Sequence, residues 1–281
     1  HSDINSYGLL AKTTYLWPSV KRPTIFERIQ MAPRVMLSIF SRNPKVVFHS
    51  LSFFSFGRRA VSLSALFWAS SMVGRGPYDV VHCQFGDVGL GFLPFHRLGL
   101  LGGKIIVQFR GHDITEFVRK KEDGAYRKLF RYGDYFLPVC DYFREKAIAL
   151  GCPENKISVL RSSIDCKLFV FLERRKPKGK SIKIAFVGRL VEKKGVGYAI
   201  QAMSLLKHQG YSVELLIVGD GPLNKTLQRL CQELDIEKYV SFLGAKNHEA
   251  IVKILKNAHL FVAPSITSRT GDEEGIPRLF D

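Results

Sequence analysis

Three short stretches of this sequence carry side chains that could hold or transfer a charged group. In FVGRLVEKKG (186–195) an apolar run ends at Gly188, Arg189 follows at once, and Lys194-Gly195 come just before a helical period through Ala199, Ile200 and Met203. A strand-to-helix turn of that kind puts Arg189 and Lys194 over the carboxyl edge of a sheet, beside the free N–H groups of a helix start. Such a place suits phosphate, because arginine gives a bidentate fork, lysine a point charge and the helix end further positive potential. A basic loop balanced by Glu192 is the alternative. In QFRGHDIT (108–115) a second strand ends in Arg110, Gly111, His112 and Asp113. A polar cluster there points into a ligand cleft, and Gly111 permits close backbone approach. Asp113 can also cap the helix that follows, with Glu116 as its capping-box partner. In GDEEGIPRLFD (271–281), Glu274 stands before Gly275-Ile276-Pro277, so a carboxylate sits on a turn that offers N–H groups from a helix start. Carboxylate plus amides fit a ligand with hydroxyls on one part and phosphate on another, which describes a nucleotide sugar. Asp272 and Glu273 read as a solvated acidic loop.

Other glycine-rich stretches fail on spacing. LGLLGGK (98–104) lacks the first glycine and the final Ser or Thr of a Walker loop, and GDVGLG (86–91) has its glycines in the wrong order for a dinucleotide fingerprint. GDGPL (219–223) reads as a tight turn with Pro222 at the first helical position. There is no D-x-D pair and no Cys or His set at metal-ligand spacing, so no metal is expected.

The elements that must position these residues alternate strand and helix from residue 78 onward, the pattern of parallel sheets flanked by helices. Strands are expected at 78–84, 104–109, 135–140, 156–161, 182–188, 213–219, 239–244 and 259–265. Leu223, Leu227, Leu230 and Leu234 form one helical stripe. Ile251, Ile254, Leu255 and Ala258 form another behind an Asn247 cap, while Asp141 and Gly151 bracket a third helix. The basic, Pro- and Gly-bearing ERRKPKGKS (173–181) is the expected linker, dividing the chain into 1–176 and 177–281. Two open α/β domains in tandem leave a cleft at the carboxyl ends of their strands. In residues 1–77, IFERIQMAPRVMLSIF and RRAVSLSALFWASSMV read as amphipathic helices. The segment Ala60 to Val73 is able to lie on a surface but is short of the roughly 18 residues that a membrane span needs.

Composition narrows the partners. The chain has 281 residues and a formal charge of +17, placed unevenly: 29 basic against 14 acidic residues in 1–181, but 13 against 11 in 182–281. That excess predicts an anionic partner for the first part, whether membrane surface, nucleic acid or acidic ligand. The five cysteines (Cys83, Cys140, Cys152, Cys166, Cys231) include no C-x-x-C pair and read as packed, reduced thiols of a cytosolic protein. The aromatics of 1–77 sit in apolar runs rather than among the lysines, which argues against a nucleic-acid partner.

Taken in order, FRGHDI, LPVCDYFREKAIALGCPENKISVLRSSID, FVGRLVEKKG, LLIVGDGPL, VSFLGAKNHEAI and LFVAPSITSRTGDEEGIP resemble the retaining GT-B glycosyltransferases of family 4, most of all the bacterial branch that builds exopolysaccharides of the colanic acid type. The resemblance implies an α/β fold of two Rossmann-like domains whose parallel sheets face a cleft, both domains incomplete here. It gives Arg189 and Lys194 to the donor diphosphate, with Gly188 at their strand end. Glu274 matches the first glutamate of the family's E-x7-E signature near the donor sugar, and Gly275 and Ile276 offer backbone N–H. The loop Gly244, Ala245, Lys246 falls beside the nucleotide base. Arg110 stands where many relatives have a His that contacts the sugar, Asp113 matches a recurrent Asp of that motif, and Asp165 fits an Ile-Asp turn that lacks its usual glycine.

The signature's second glutamate, the expected ribose ligand, would fall at position 282, and the family's first strand and acceptor loop would precede His1. The resemblance thus implies an internal piece of a longer enzyme, inactive by itself. The implied reaction moves a hexose, with retention, from a UDP- or GDP-sugar to a lipid-linked saccharide acceptor. It needs no cofactor or metal and takes place on the cytoplasmic face of the membrane, where the basic first domain meets anionic lipid. A nucleotide-sugar epimerase of the same architecture, a basic membrane- or nucleic-acid-binding module and an inert fragment are the rival readings.

Overall fold

The computed structural model describes residues 8, 11, 13–15, 23–121, 124–164, 167, 169–174 and 181–276. The expected linker turn at Pro177 and Gly179, the Asp165 turn, Cys166 and the helix at 278–280 lie outside the described residues.

The chain forms two compact units, 1–108 with 126–136, and 109–125 with 137–281. The division differs from the expected one at 176/177. Inside the second unit, the turn after Phe109 is hydrogen-bonded to residues 272 and 273, and those bonds tie it to the chain beyond the linker.

In the first unit, helices α1 (Ile25–Phe40), α2 (Pro44–Ser50), α3 (Phe53–Phe56), α4 (Arg58–Val61) and α5 (Ser64–Met72) precede β1 (Val80–Cys83), α6 (Gly86–Arg97) and β2 (Lys104–Phe109). A capping box between Thr24 and Glu27 starts α1. The single amphipathic helix expected over 58–73 is broken at Leu63, which has a left-handed φ of 56°. Buried Arg28 explains the break. Its guanidinium takes the Ser62 carbonyl, a backbone acceptor that a continuous helix would use, and also bonds the Ser64 hydroxyl. Nor does 60–73 lie on a surface: Ala65, Leu66 and Ala69 are fully buried in a core with Ile39, Val46 and Phe95. Strands β1, β2 and β3 (Tyr135–Pro138) make one sheet in that order, β1 parallel to β2; α7 (Glu116–Lys121) and α8 (Arg127–Tyr132) lie between β2 and β3 in sequence.

The second unit continues with α9 (Asp141–Ala149), β4 (Ile182–Val187), α10 (Val196–His208), β5 (Val213–Val218), α11 (Asn224–Glu233), β6 (Val240–Gly244), α12 (His248–Asn257) and β7 (Leu260–Phe261). Asp141 is the first residue of α9 and pairs with Arg161, rather than standing before the helix as its cap. The expected strand at 156–161 is absent. Only Ile157 makes an isolated pairing, after a 3-10 turn at 154–156, and Leu160 N donates to the Pro138 carbonyl at 2.9 Å. Pro222 stands two residues before α11 begins, in the turn rather than at the first helical position.

The sheet of this unit has the order β6-β5-β4-β7, every pair parallel. Alternation along the strands sends Phe186 and Ile217 to one face, against Ile200 and Met203 of α10 and Leu227 and Cys231 of α11. Val187 and Val218 go to the other, against Ile251 of α12. With both faces covered, the strands must be the apolar runs that the sequence shows. The Asn247 side chain caps α12 through the Ala250 N–H at 3.0 Å.

Candidate active site

The strand order places a site before any side chain is considered. From β4 the chain steps to β5 and β6 on one side, then returns to β7 on the other. The reversal between β4 and β7 leaves a crevice beyond their carboxyl ends, where open α/β sheets take ligands. Of the expected residues, Gly188, Arg189 and Lys194 follow β4, while Glu274, Gly275 and Ile276 follow β7.

The loops after β4, β5 and β6 are laced together by backbone. Gly188 N donates to Val218 O at 3.0 Å, Gly219 N to Gly244 O at 2.9 Å and Leu190 N to Asp220 O at 2.9 Å. The end of β6 at Gly244 is thus joined to the Arg189 loop through the end of β5. Ala245, Lys246 and Arg189 are exposed, and among the described residues the Arg189 guanidinium makes no ion pair or side-chain hydrogen bond. After Arg189 a 3-10 turn at Glu192–Lys194 leads into α10 through Gly195, whose φ is 65°. A β-carbon there would lie 1.8 Å from the Pro264 carbonyl, so only glycine lets the β7 loop close on this turn.

Lys194 is 7% exposed, and its Nζ stands 3.1 Å from Glu274 Oε1. The two residues expected at the donor therefore meet across the crevice. Lys193, beside it, pairs with Asp272 at 3.0 Å and approaches Glu274 Oε2 at 3.7 Å. Glu274 Oε2 itself is buried without a hydrogen-bond partner, an acceptor left open where buried acceptors are normally filled. Glu192, the alternative counterion for the basic loop, turns to Arg269 at 3.4 Å instead.

Asp272 and Glu273 are not the solvated loop expected of them. Asp272 takes Lys193, and Thr115 Oγ1 lies 3.5 Å from it. Glu273 accepts from Lys146 Nζ at 2.6 Å and from the Tyr142 hydroxyl at 2.7 Å. Burial pushes the Glu273 carboxyl up, but these two donors outweigh it and hold it below its ordinary value. Lys146 shows the converse: burial lowers it, and the bonds to Glu273 and Tyr142 raise it above the ordinary value. Lys193, Lys146 and Tyr142 were missed in the sequence. A charged residue next to a candidate cation, and an aromatic one turn before a lysine on α9, were the available signals.

The turn after β2 reaches the same loop. Asp113, fully buried, accepts the Arg110 and Gly111 N–H groups at 3.0 and 2.9 Å, which closes the strand end. Thr115 Oγ1 donates to Gly111 O at 2.9 Å, and the Glu273 N–H points to it at 3.4 Å. A β-carbon at Gly111 would stand 3.6 Å from the Glu273 carbonyl and 3.8 Å from Lys193 Nζ. Gly275 is held against the Phe143 ring, 2.4 Å from where its β-carbon would stand.

Comparison with known proteins assigns the chain to a family. The description Glycosyl transferases group 1 matches residues 171–279, and Glycosyltransferase Family 4 matches 23–168. The chain belongs to family 4. Among its relatives in this family, the amylovoran biosynthesis glycosyltransferase AmsK of Erwinia amylovora is 33% identical over 99% of this chain and 67% of that protein. WcaL of Escherichia coli strain K12, a glycosyltransferase whose name ascribes it to colanic acid biosynthesis, is 32% identical over the same shares. The fold agrees with solved structures. The lipopolysaccharide outer core galactosyltransferase WaaB in its apo form has a TM-score of 0.52 at 19% identity, over 77% of this chain and 54% of that one. Anabaena Alr3699/HepE in complex with UDP has a TM-score of 0.53 at 17% identity, over 68% and 54%. The chain thus spans about two thirds of the length of those relatives and about half that of the solved structures, with a GT-B fold and the expected exopolysaccharide branch.

Proposed function

We propose that this family 4 chain serves a retaining glycosyltransferase that moves a hexose from a UDP- or GDP-sugar to a lipid-linked saccharide, in the assembly of a bacterial surface polysaccharide at the cytoplasmic face of the membrane. The observation that carries the reading is the Lys194–Glu274 pair across the β4/β7 switch point, 3.1 Å apart and almost buried.

Transfer separates charge, an oxocarbenium-like sugar from a departing diphosphate, so the site must hold developing negative charge in one place. Lys194 and Arg189 supply it without a metal, each worth about 2–4 kcal/mol in the transition state. Arg189, exposed and unengaged, is free to fork onto phosphate. Lys194 shares its charge with Glu274 until a diphosphate competes for it, and Glu274 Oε2, lacking any hydrogen bond, takes a sugar hydroxyl. The Gly275 and Ile276 N–H groups and the Gly244–Lys246 loop then face the sugar and the base. Arg110 and Asp113 bound the opposite wall, Asp113 by fixing the turn that presents Arg110. The acceptor proton leaves with the phosphate oxygen, so no protein base is required.

Titration calorimetry with UDP and GDP tests the donor half, with one nucleotide binding and Lys194→Ala abolishing the signal. Proton NMR of the product tests the other half: an anomeric configuration inverted from the donor's would end the retaining assignment. Interconversion of the free nucleotide sugar with no acceptor present would favour an epimerase.

A further inference from the structure

The first unit carries an apolar surface that its core does not use. On α1, Arg28, Ala32 and Ile39 face inward and are buried. Phe26, Ile29, Leu37 and Phe40 recur on a different side of the same helix, within about a quarter turn of one another at 3.6 residues per turn, and all four are exposed, Leu37 at 72%. The short helices that follow add Phe48 and Phe54, the latter 98% exposed. Apolar side chains repeated along one face in this way are not the scattered singles of an ordinary surface.

The charge around them says what covers them. Residues 24–77 hold seven Arg and Lys and a single acid, Glu27. Arg28 and Arg59 turn inward, Arg28 onto the Ser64 hydroxyl and Arg59 over the Trp68 ring. Arg34, Arg42, Lys45 and Arg58 are exposed. A second copy of this face would set basic against basic, and nucleic acid would leave the aliphatic stripe without use. An anionic lipid surface satisfies both, the aliphatic and aromatic side chains entering at headgroup depth and the cations answering the lipid charge. No helix among the described residues is long and apolar enough to cross a membrane, so contact from one side is the mode available to these helices.

We infer that the Phe26–Ile29–Leu37–Phe40 face of α1, together with exposed Phe48 and Phe54 and the exposed cations of the same helical segment, is a docking surface for anionic lipid. The inference deepens the membrane-borne part of the proposed function and rests on that reading only for its purpose, since lipid binding is measured without any donor.

The experiment floats the 281-residue chain with vesicles of phosphatidylcholine alone, and of phosphatidylcholine with phosphatidylglycerol, at low and high salt, and titrates UDP into the same preparations. Binding is expected to the anionic vesicles. Leu37→Asp with Phe40→Asp should weaken it about tenfold or more at both salts. Arg34→Glu with Arg42→Glu should weaken it by a similar factor at low salt and much less at high salt, where screening has already removed the charge term. Phe171→Asp, an exposed site at 89% outside this face, should leave it unchanged. Far-UV circular dichroism confirms that each variant is folded. Wild-type chain that ignores anionic vesicles, or an apolar double variant that binds as wild type does, overturns the inference. So does a concentration-dependent dimer in sedimentation that the same variant abolishes, or duplex DNA that out-competes the vesicles. Vesicle binding by a chain that takes up no nucleotide would instead overturn the donor reading and leave this surface standing.

Discussion

Lys194 and Glu274 are held so that neither can be removed alone without cost. Both are nearly buried; removing Glu274 leaves Lys194 an uncompensated charge, a loss on the order of 3 kcal/mol that the paired deletion largely avoids, while removing Lys194 leaves Glu274 to Lys193 at 3.7 Å and costs less. Glu274→Gln should therefore lower the urea midpoint by more than Lys194→Ala or the double variant does, while all three lose donor binding. A double variant as destabilised as the sum of the singles would mean the pair is not coupled. Glu273 gives a pH prediction. Its carboxyl lies below its ordinary value of 4.5, so the stability it contributes is present above that value and is lost as pH falls through its folded value. Lys146, raised above 10.5, contributes below that value and loses its share as pH rises through its own. The stability difference between wild type and Glu273→Gln, followed by thermal melts, should be widest near neutrality and close at both extremes. At this scale Arg189, Lys194 and Glu274 were legible because a strand end and a helix start fix their spacing locally. Lys193 with Asp272, and Lys146 with Glu273, were not, because partners 79 and 127 positions apart leave no mark in either segment. The buried thiols were legible as inert: burial lifts Cys83 to about 11 and Cys152 to about 12, so neither forms a thiolate near neutral pH.

Among the elements, the turn between β4 and α10 is the one that cannot be redrawn. Gly195 holds a left-handed φ of 65° with the Pro264 carbonyl where a β-carbon would stand. Gly195→Ala adds about 1–2 kcal/mol of backbone strain and forces the β7 loop away, so it should lower both the melting temperature and donor affinity. Thr24→Ala is the companion measurement: loss of the α1 cap costs about 1 kcal/mol at a helix of the other unit, and donor affinity should hold while the urea midpoint drops. If both variants lose affinity alike, general loosening rather than loop position controls the donor site. The parallel strands were legible because a sheet covered on both faces requires unbroken apolar runs, which KIIVQF, IKIAFV and VELLIV are. The run at 156–161 has the same β-branched residues, yet it forms no strand of its own: Ile157 makes an isolated pairing and Leu160 N reaches the Pro138 carbonyl at the end of β3. The helix over 58–73 failed for a different reason, since the group that breaks it, Arg28, comes from another helix.

For the whole molecule, the exposed apolar face of α1 lies in the first unit and Arg189, Lys194 and Glu274 in the second, and this separation is open to measurement. The first unit's core gathers Ile39, Leu66 and Phe95, the second's Phe186, Ile200 and Ile217, and the two clusters share no residue. Cores that share nothing need not melt together, so calorimetry of the chain should show two transitions. UDP or GDP, which on the proposed reading binds where Arg189, Lys194 and Glu274 stand, should stabilise by mass action the unit that holds them, by about 2.7 kcal/mol at a hundredfold excess over its dissociation constant. The transition that moves with nucleotide should be the one that Gly195→Ala lowers. Anionic vesicles should act on the other, the one that Leu37→Asp leaves unresponsive. A single transition shifted equally by nucleotide and by lipid would mean that the two units unfold as one body and that the donor site depends on residues 1–108 for its stability.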